Sequence, residues 1–96
     1  MSSKTICTPG IFGNKVGYLV DGSYIQDTGG KDVGKISSPS FFSNEGSIES
    51  HRCGRIGYQK NGYWYDTNGE VVAKVTSFSV ELMKGRAADR FIKKLF

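Results

Sequence analysis

The chain has 96 residues, which is enough for one domain with a single hydrophobic core. A mean hydropathy of −0.35, with no apolar run near the roughly 18 residues of a membrane helix, excludes a helical membrane protein. The segment MSSKTICTPG lacks the apolar stretch of a secretory signal, so we expect a cytoplasmic protein, and its net charge of +4 permits an acidic partner without requiring one.

The composition predicts short strands joined by tight turns. The chain contains 13 Gly and only 2 Pro, together with 6 Phe, 5 Tyr and 1 Trp. Aromatic residues favour strands, and glycine favours the tight turns that connect them. We therefore predict a mainly β protein, a small antiparallel sheet or barrel-like domain with internal pseudo-repeats and one C-terminal helix. Its first strand is a weak edge strand at residues 5–8.

The chain then repeats itself. The stretch KVGYLVDGSYIQDTGGKDVGKISS, which begins at Lys15, aligns with RIGYQKNGYWYDTNGEVVAKVTS, which begins at Arg55. The offset is 40 residues between Gly22 and Gly62 and 39 residues further along, because the first copy has one extra residue. We place repeat 1 at about 13–38, an irregular connection at 39–52 and repeat 2 at about 53–77.

An Asp-Thr pair occurs in each copy and is similar to the Asp-Thr-Gly motif of aspartic proteases. In the second copy Asn68 stands where that motif requires Gly, and the proteases need two carboxylates buried together. Asp at the first position of a turn instead accepts hydrogen bonds from its own backbone. We therefore expect Asp27 and Asp66 to be turn residues with no shared proton.

Four strands of the repeats carry a small residue at the same position: Gly17, Gly34, Gly57 and Ala73. Small residues weaken a strand, so their repetition indicates a steric requirement. Either a neighbouring backbone passes close by, or a large ring lies over each small residue. The large residues of the strands YIQD and YWYD are the candidates for those rings.

Alternation along YWYD places Trp64 on one face of its strand and Tyr63 and Tyr65 on the other. We expect Trp64 in the core and the two tyrosines on a more exposed face. In the connection, Pro39 and its serine-rich flanks predict a loop, which Phe41 and Phe42 anchor. A further strand is predicted at residues 47–53.

The last segment changes from strand to helical periodicity. From Ser79 onward, apolar residues recur at steps of three and four: Leu82, Met83, Ala87, Ala88, Phe91, Ile92, Leu95 and Phe96. This stripe predicts a helix at about 79–96, with Ser79 as its N-cap.

The residue types that carry most catalytic and metal chemistry are sparse. Cys7 and Cys53 are expected to be free thiols, and His51 with Cys53 matches no common zinc spacing. No nucleophile, phosphate loop or paired carboxylate stands in a catalytic setting. We therefore predict a non-enzymatic protein with no catalytic residues, no metal site and no cofactor.

The repeats GNKVGYLVDGSYIQDTGGKDVGKI and CGRIGYQKNGYWYDTNGEVVAKV resemble the small bacterial proteins called four-fold β-flower proteins. The resemblance covers about residues 13–76 and implies a pseudo-symmetric sheet. It brings no agreed activity and no catalytic residues, and it implies an accessory role of the kind encoded on mobile genetic elements. Similar patterns occur in PRC-barrel domains, the second architecture that we consider.

A protein-binding or self-associating module is the first functional hypothesis. Its binding residues would be Tyr63 and Tyr65 together with the apolar end of the predicted helix, formed by Phe91, Ile92, Leu95 and Phe96. Aromatic anchors dominate protein interfaces, and symmetric pairing is the commonest assembly. We therefore expect a homodimer or a protein partner.

A nucleic-acid-binding β domain is the alternative. Bases would stack on Tyr18, Tyr58, Tyr63 or Tyr65, and phosphates would meet basic side chains. Those basic residues are Arg52, Arg55, Lys60, Lys84, Arg86, Arg90, Lys93 and Lys94.

Overall fold

The computed structural model describes residues 3–9, 13–37 and 45–96. These residues form nine strands and one helix. The strands are β1 (Ser3–Cys7), β2 (Lys15–Val20), β3 (Tyr24–Asp27), β4 (Asp32–Ser37), β5 (Gly46–Ser50), β6 (Gly54–Lys60), β7 (Tyr63–Asp66), β8 (Val71–Val75) and β9 (Ser79–Leu82), and the helix is α1 (Arg86–Leu95). The predicted loop at 39–44, with Phe41 and Phe42, lies outside the described residues.

The strands pair in sequence order into a closed barrel. Each strand is antiparallel to the next, and the barrel closes through a parallel pairing of β1 with β9, in which Ile6 lies opposite Val80. Closure satisfies the backbone groups that an edge strand would otherwise expose. The mainly β, barrel-like fold with one C-terminal helix is therefore confirmed, and strands form near both of the weaker predicted positions, as β1 and β5.

The same irregularity occurs four times around the barrel. The pairing register shifts directly after one large residue in each of four alternate strands: Ile6, Ile25, Ile48 and Trp64. All four side chains are fully buried. A bulge at such a position increases the twist of the strand, which helps a short sheet to close.

Each of these large residues lies directly opposite one of the small residues, Gly17, Gly34, Gly57 and Ala73. A Cβ on Gly57 would meet both the backbone carbonyl of Tyr65 and the ring of Phe91, the latter at 3.0 Å. Gly17 and Gly34 combine a close carbonyl with the side chain of Phe96 or Leu95 in the same way. At the three glycines a neighbouring backbone therefore passes close by, as the first alternative predicted, and the side chains that cover them belong to the helical segment and not to YIQD or YWYD.

The predicted turn chemistry is present in both repeats. Asp21 and Asn61 adopt positive φ angles of 54° and 52°, as tight hairpin turns require. One Asp27 carboxylate oxygen accepts the backbone N–H groups of Gly29 and Lys31, each at 2.9 Å. Asp66 accepts two equivalent backbone N–H groups, also at 2.9 Å. Asp27 and Asp66 are therefore turn residues, as predicted.

The helix begins later than predicted, at Arg86 rather than near Ser79. Residues Ser79–Leu82 form β9, in which Val80 and Leu82 are buried and Glu81 is exposed. The apolar positions from Leu82 onward fit a helical stripe. Residues 79–82, however, alternate between more and less buried side chains, as expected of the strand that closes the barrel. The N-cap is Gly85, at φ 136°, and no side chain caps the helix there.

Helix α1 lies across one end of the barrel. Ala88, Phe91 and Leu95 are buried, and the Phe91 ring lies 6.0 Å from the Trp64 ring. Ser50 anchors the C-terminal turn, because its hydroxyl donates to the Lys94 carbonyl at 2.6 Å. These contacts hold the apolar stripe of α1 within its own chain.

Candidate nucleic-acid interface

Three tyrosines form a continuous aromatic surface on the outside of β6 and β7, which we call the tyrosine face (Tyr58, Tyr63 and Tyr65). Tyr58 lies directly opposite Tyr65, and the two rings stack with centroids 5.0 Å apart and planes inclined by 15°. The Tyr63 ring lies 6.5 Å from the Tyr65 ring. Trp64, between the two tyrosines of β7, points inward and is fully buried. The predicted split of YWYD between the core and an outer face is therefore correct.

Basic side chains border the tyrosine face. Tyr63 lies between two lysines, with Lys60 opposite it on β6 and Lys74 opposite it on β8. Both lysines are exposed, whereas Tyr63 is half-buried. Cross-strand partners lie close enough for their side chains to interact, so both lysines lie within reach of the Tyr63 ring.

A groove of about 310 Å³ runs beside Tyr58. Its described lining consists of Glu45, Gly46, Ser47, Arg55, Tyr58, Gln59 and Lys60. Ser47 lies directly opposite Tyr58 on β5, on the side away from Tyr65. Because serine is small, the described residues leave the groove on the side of Tyr58 away from Tyr65. This arrangement offers an aromatic surface, two cations and hydrogen-bonding groups at one place.

One amide is fixed on the inner face of β6, where Gln59 lies opposite the buried Trp64. Trp64 Nε1–H donates to Gln59 Oε1 at 2.9 Å. Indole nitrogen is only a donor, so the carbonyl oxygen of Gln59 must face it and the amide nitrogen points elsewhere. No buried side-chain nitrogen or oxygen of the described residues lacks a hydrogen-bond partner.

The first repeat does not reproduce this surface. Tyr18 occupies the position of Tyr58, but its cross-strand neighbour on β3 is Gln26, whose amide donates to Asp32 at 3.1 Å. Lys15 lies over the Tyr18 ring, with its Nζ 5.4 Å from the ring centroid. The aromatic stack is therefore a property of the second repeat alone.

Two of the four residues predicted to bind a partner at the apolar end of α1 lie in the core of the chain, and for Phe91 and Leu95 the prediction of an interaction surface requires correction. Phe91 is only 2% exposed and Leu95 only 3% exposed. Ile92 and Phe96 are half-buried and pack against the same core. The barrel wall offers glycines where these side chains enter, so Phe91 and Leu95 are buried within the chain itself.

The basic residues named for the alternative hypothesis separate into three groups. Arg52 caps α1, because its guanidinium donates to the backbone carbonyls of Phe96 at 3.2 Å and Lys93 at 3.5 Å. Arg55 and Lys60 line the groove beside Tyr58. The others are exposed on or just before α1: Lys84, Arg86, Arg90, Lys93 and Lys94. The structure thus brings Arg55 to the tyrosines and gives Arg52 a structural contact.

The remaining candidate groups give no reactive cluster. Cys7 is a half-buried free thiol, and Cys53 is an exposed one beside the exposed His51. Among the residues that the structure describes, no three His, Cys, Asp or Glu side chains lie close enough together to hold a metal ion. In that same part of the chain, no helix combines the length and hydrophobicity needed to cross a membrane.

Sequence reasoning missed the roles of three residues. Ser47 and Gln59 attract no attention as isolated polar residues, and their roles depend on which residues lie opposite them. Phe78, which is 88% exposed, sits in the turn before β9. The Thr76 hydroxyl accepts the backbone N–H groups of Ser79 at 3.0 Å and Phe78 at 3.3 Å, so this turn is well fixed.

Comparison with protein-family models, with curated proteins and with solved structures gave no match. The resemblance to four-fold β-flower proteins therefore stays a prediction.

Proposed function

We propose that this protein is a non-catalytic binding module that binds single-stranded nucleic acid on the tyrosine face. The observation that carries the proposal is the Tyr58–Tyr65 stack beside an open groove and next to exposed lysines. Proteins that bind single strands stack successive bases on aromatic rings and track the phosphates with cations. With the apolar stripe of α1 buried in its own chain, this surface is the better candidate for a ligand.

The exposed tyrosine rings suit unpaired bases better than paired ones. A base in a duplex already stacks on its neighbours, whereas an unpaired base has free faces that can lie on tyrosine rings. Lys60 and Lys74 flank Tyr63, so each lies within reach of a phosphate next to a stacked base. Binding of this kind depends on salt and tolerates different sequences.

The test compares Tyr63→Ala with Tyr24→Ala in a titration with labelled oligothymidine of about 15 nucleotides. Tyr24 is the aligned residue of the first repeat, is 53% exposed and lies opposite Lys35. We expect Tyr63→Ala to weaken binding about 5- to 150-fold, which corresponds to the loss of one stacked base. Tyr24→Ala should leave the affinity unchanged. Equal effects of the two variants, or no binding by the unaltered protein, would contradict the proposal.

Self-association through Phe78 is a second candidate function. A phenylalanine that is 88% exposed on a hydrogen-bonded turn presents a rigid apolar anchor, as hot-spot residues of protein interfaces do. Light scattering of the unaltered protein and of Phe78→Ser tests it. A dimer that becomes a monomer on substitution supports this candidate, and a monomeric unaltered protein at high concentration rejects it.

A further inference from the structure

We propose that a second pocket, at the seam where β1 meets β9, binds one guanine base of a single strand whose neighbouring bases stack on the tyrosine face. This inference rests on the proposed function, because the pocket receives a nucleotide of the strand that the tyrosines hold. We call it the seam pocket, and its described lining includes Pro9, Lys74, Glu81, Met83 and Lys84.

A path from the tyrosine face to the seam pocket follows from the strand pairing. Tyr63 on β7 lies opposite Lys74 on β8, and Lys74 lies opposite Glu81 on β9. Lys74 and Glu81 are exposed, whereas Val80 next to Glu81 is buried, so this row lies on the outside of the barrel. Neighbouring strands lie about 4.8 Å apart, so the row from Tyr63 to Glu81 is about 10 Å long. This is the length of about three stacked nucleotides of one strand.

The seam pocket has the size and the lining of a small-ligand site. Its volume is about 450 Å³, and ligand sites commonly measure about 300–1,000 Å³. Most of the exposed surface of its described lining is apolar, with Pro9 and Met83 among the contributors. The charged residues of that lining are Lys74, Glu81 and Lys84. A planar base can therefore lie against apolar groups while its polar edge and its phosphates meet charges.

The carboxylate of Glu81 is available to a ligand. The first repeat contains the equivalent pair, in which Lys35 lies opposite Glu49 and its Nζ is 3.7 Å from Glu49 Oε2. In the described part of the chain, neither an ion pair nor a side-chain hydrogen bond engages Glu81, although Lys74 lies opposite it. The two repeats thus differ at this position, and the unpaired carboxylate is the one that lines a pocket.

A carboxylate discriminates between bases by their hydrogen-bond donors. An ionised carboxylate only accepts, and its two oxygens can receive two neighbouring N–H groups. On its base-pairing edge, guanine presents two adjacent donors, the ring N1–H and the N2 amino group. Adenine, cytosine, thymine and uracil each place an acceptor next to their donor, and that acceptor would face the negative charge. Hydrogen bonds to a charged acceptor are also the stronger ones, so Glu81 favours guanine.

The two lysines of the lining suit the phosphates of such a strand. Lys74 borders the tyrosine face through its pairing with Tyr63, and it also lines the seam pocket. Lys84 is exposed just beyond the end of β9. A phosphate between the stacked and the inserted base lies within reach of Lys74, and Lys84 is placed for a phosphate at the pocket itself. Two cations against the one carboxylate of Glu81 keep the described lining attractive to a polyanion.

The experiment compares oligothymidines of about 15 nucleotides in which one central base is either guanine or hypoxanthine. Hypoxanthine is guanine without the N2 amino group, so the ratio of the two affinities reports on a single donor. For the unaltered protein we expect the guanine oligonucleotide to bind about fivefold more tightly or better, as one additional hydrogen bond provides.

Glu81→Gln is the variant that tests the carboxylate. It replaces one acceptor oxygen by an N–H donor, and we expect the ratio to fall to about one. Its matched control is Glu49→Gln, which removes the same charge from an exposed glutamate that also lies opposite a lysine. The control should keep the ratio of the unaltered protein, and thermal melting of both variants confirms that they are folded.

The outcomes separate this inference from the proposed function. A ratio near one for the unaltered protein, with binding still weakened by Tyr63→Ala, would overturn the guanine site and leave the tyrosine face as the interface. A ratio that survives Glu81→Gln, or that Glu49→Gln lowers equally, would overturn the guanine site as well. No binding of either oligonucleotide would remove both proposals.

Discussion

Gly57 shows how one missing Cβ lets α1 reach the barrel wall. A methyl group there would press against the backbone carbonyl of Tyr65 and lie 3.0 Å from the Phe91 ring. We expect Gly57→Ala to lower the free energy of unfolding by about 1–3 kcal/mol, because the carbonyl belongs to a paired strand and cannot move aside. Urea denaturation measures the change.

Gly29→Ala is the matched control. Gly29 lies in a turn without a positive φ, and a Cβ there would meet the Asp27 carboxylate oxygen at an ordinary contact distance of 3.4 Å. Its stability should therefore stay close to that of the unaltered protein. Equal losses for the two substitutions would show that the close approach at Gly57 is not the cause.

We predict a smaller loss of stability when a turn aspartate is substituted. Asp66 accepts two backbone N–H groups through one oxygen, and an asparagine side chain can present its amide oxygen in the same place. We expect Asp66→Asn to cost about 1 kcal/mol or less in thermal or urea unfolding, as loss of a capping charge does. A loss of several kcal/mol would indicate that the carboxylate has a further partner.

At the scale of elements, local sequence patterns correctly predicted the features that depend on a single turn or on one face of a single strand. The hairpin turns at Asp21 and Asn61, and the inward position of Trp64, follow from residue type and alternation. The start of α1 could not be found this way. Val80 and Leu82 suit a strand, yet the overlapping stripe that begins at Leu82 also suits a helix, and the choice depends on closing the barrel with β1.

The candidate site depends even more on pairing across strands. Tyr63 and Tyr65 could be assigned to an outer face from the alternation of side chains along a strand alone. The open side of Tyr58 depends on Ser47, which lies eleven residues earlier in the chain and becomes its neighbour only through the β5–β6 register. On the inner face, the hydrogen bond from Trp64 to Gln59 likewise depends on the β6–β7 register, and neither residue signals this contact in the sequence.

Helix α1 contributes a large part of the core despite its short length. Phe91 is 2% exposed and touches both the Trp64 ring and the wall at Gly57. We expect Phe91→Ala to cost about 3–5 kcal/mol, because the surrounding barrel is closed and cannot collapse into the cavity. Urea denaturation checks the value, with Lys93→Ala on the exposed side of the same helix as control. An unchanged midpoint for Phe91→Ala would contradict the packing of α1 across the barrel end.

At the scale of the whole molecule, two groups of basic residues are candidates for contact with a polyanion. One group borders the tyrosine face and includes Lys60 and Lys74. The other lies on the exposed side of α1 and includes Arg86 and Lys93. The net charge of +4 also includes the lysines of the first repeat, so the total charge alone does not identify the surface that meets a polyanion.

The salt dependence of oligothymidine binding distinguishes the two groups. Each phosphate neutralised on a single strand contributes about −0.7 to the slope of log K against log salt concentration. Replacing both Lys60 and Lys74 by Ala should therefore reduce the magnitude of the slope by about 1.4. Replacing both Arg86 and Lys93 by Ala lowers the net charge by the same two units but should leave the slope unchanged, because these residues lie on the helix. The opposite result would place the phosphates on α1, and equal reductions would mean that the overall charge of the molecule, not the tyrosine face, attracts the strand.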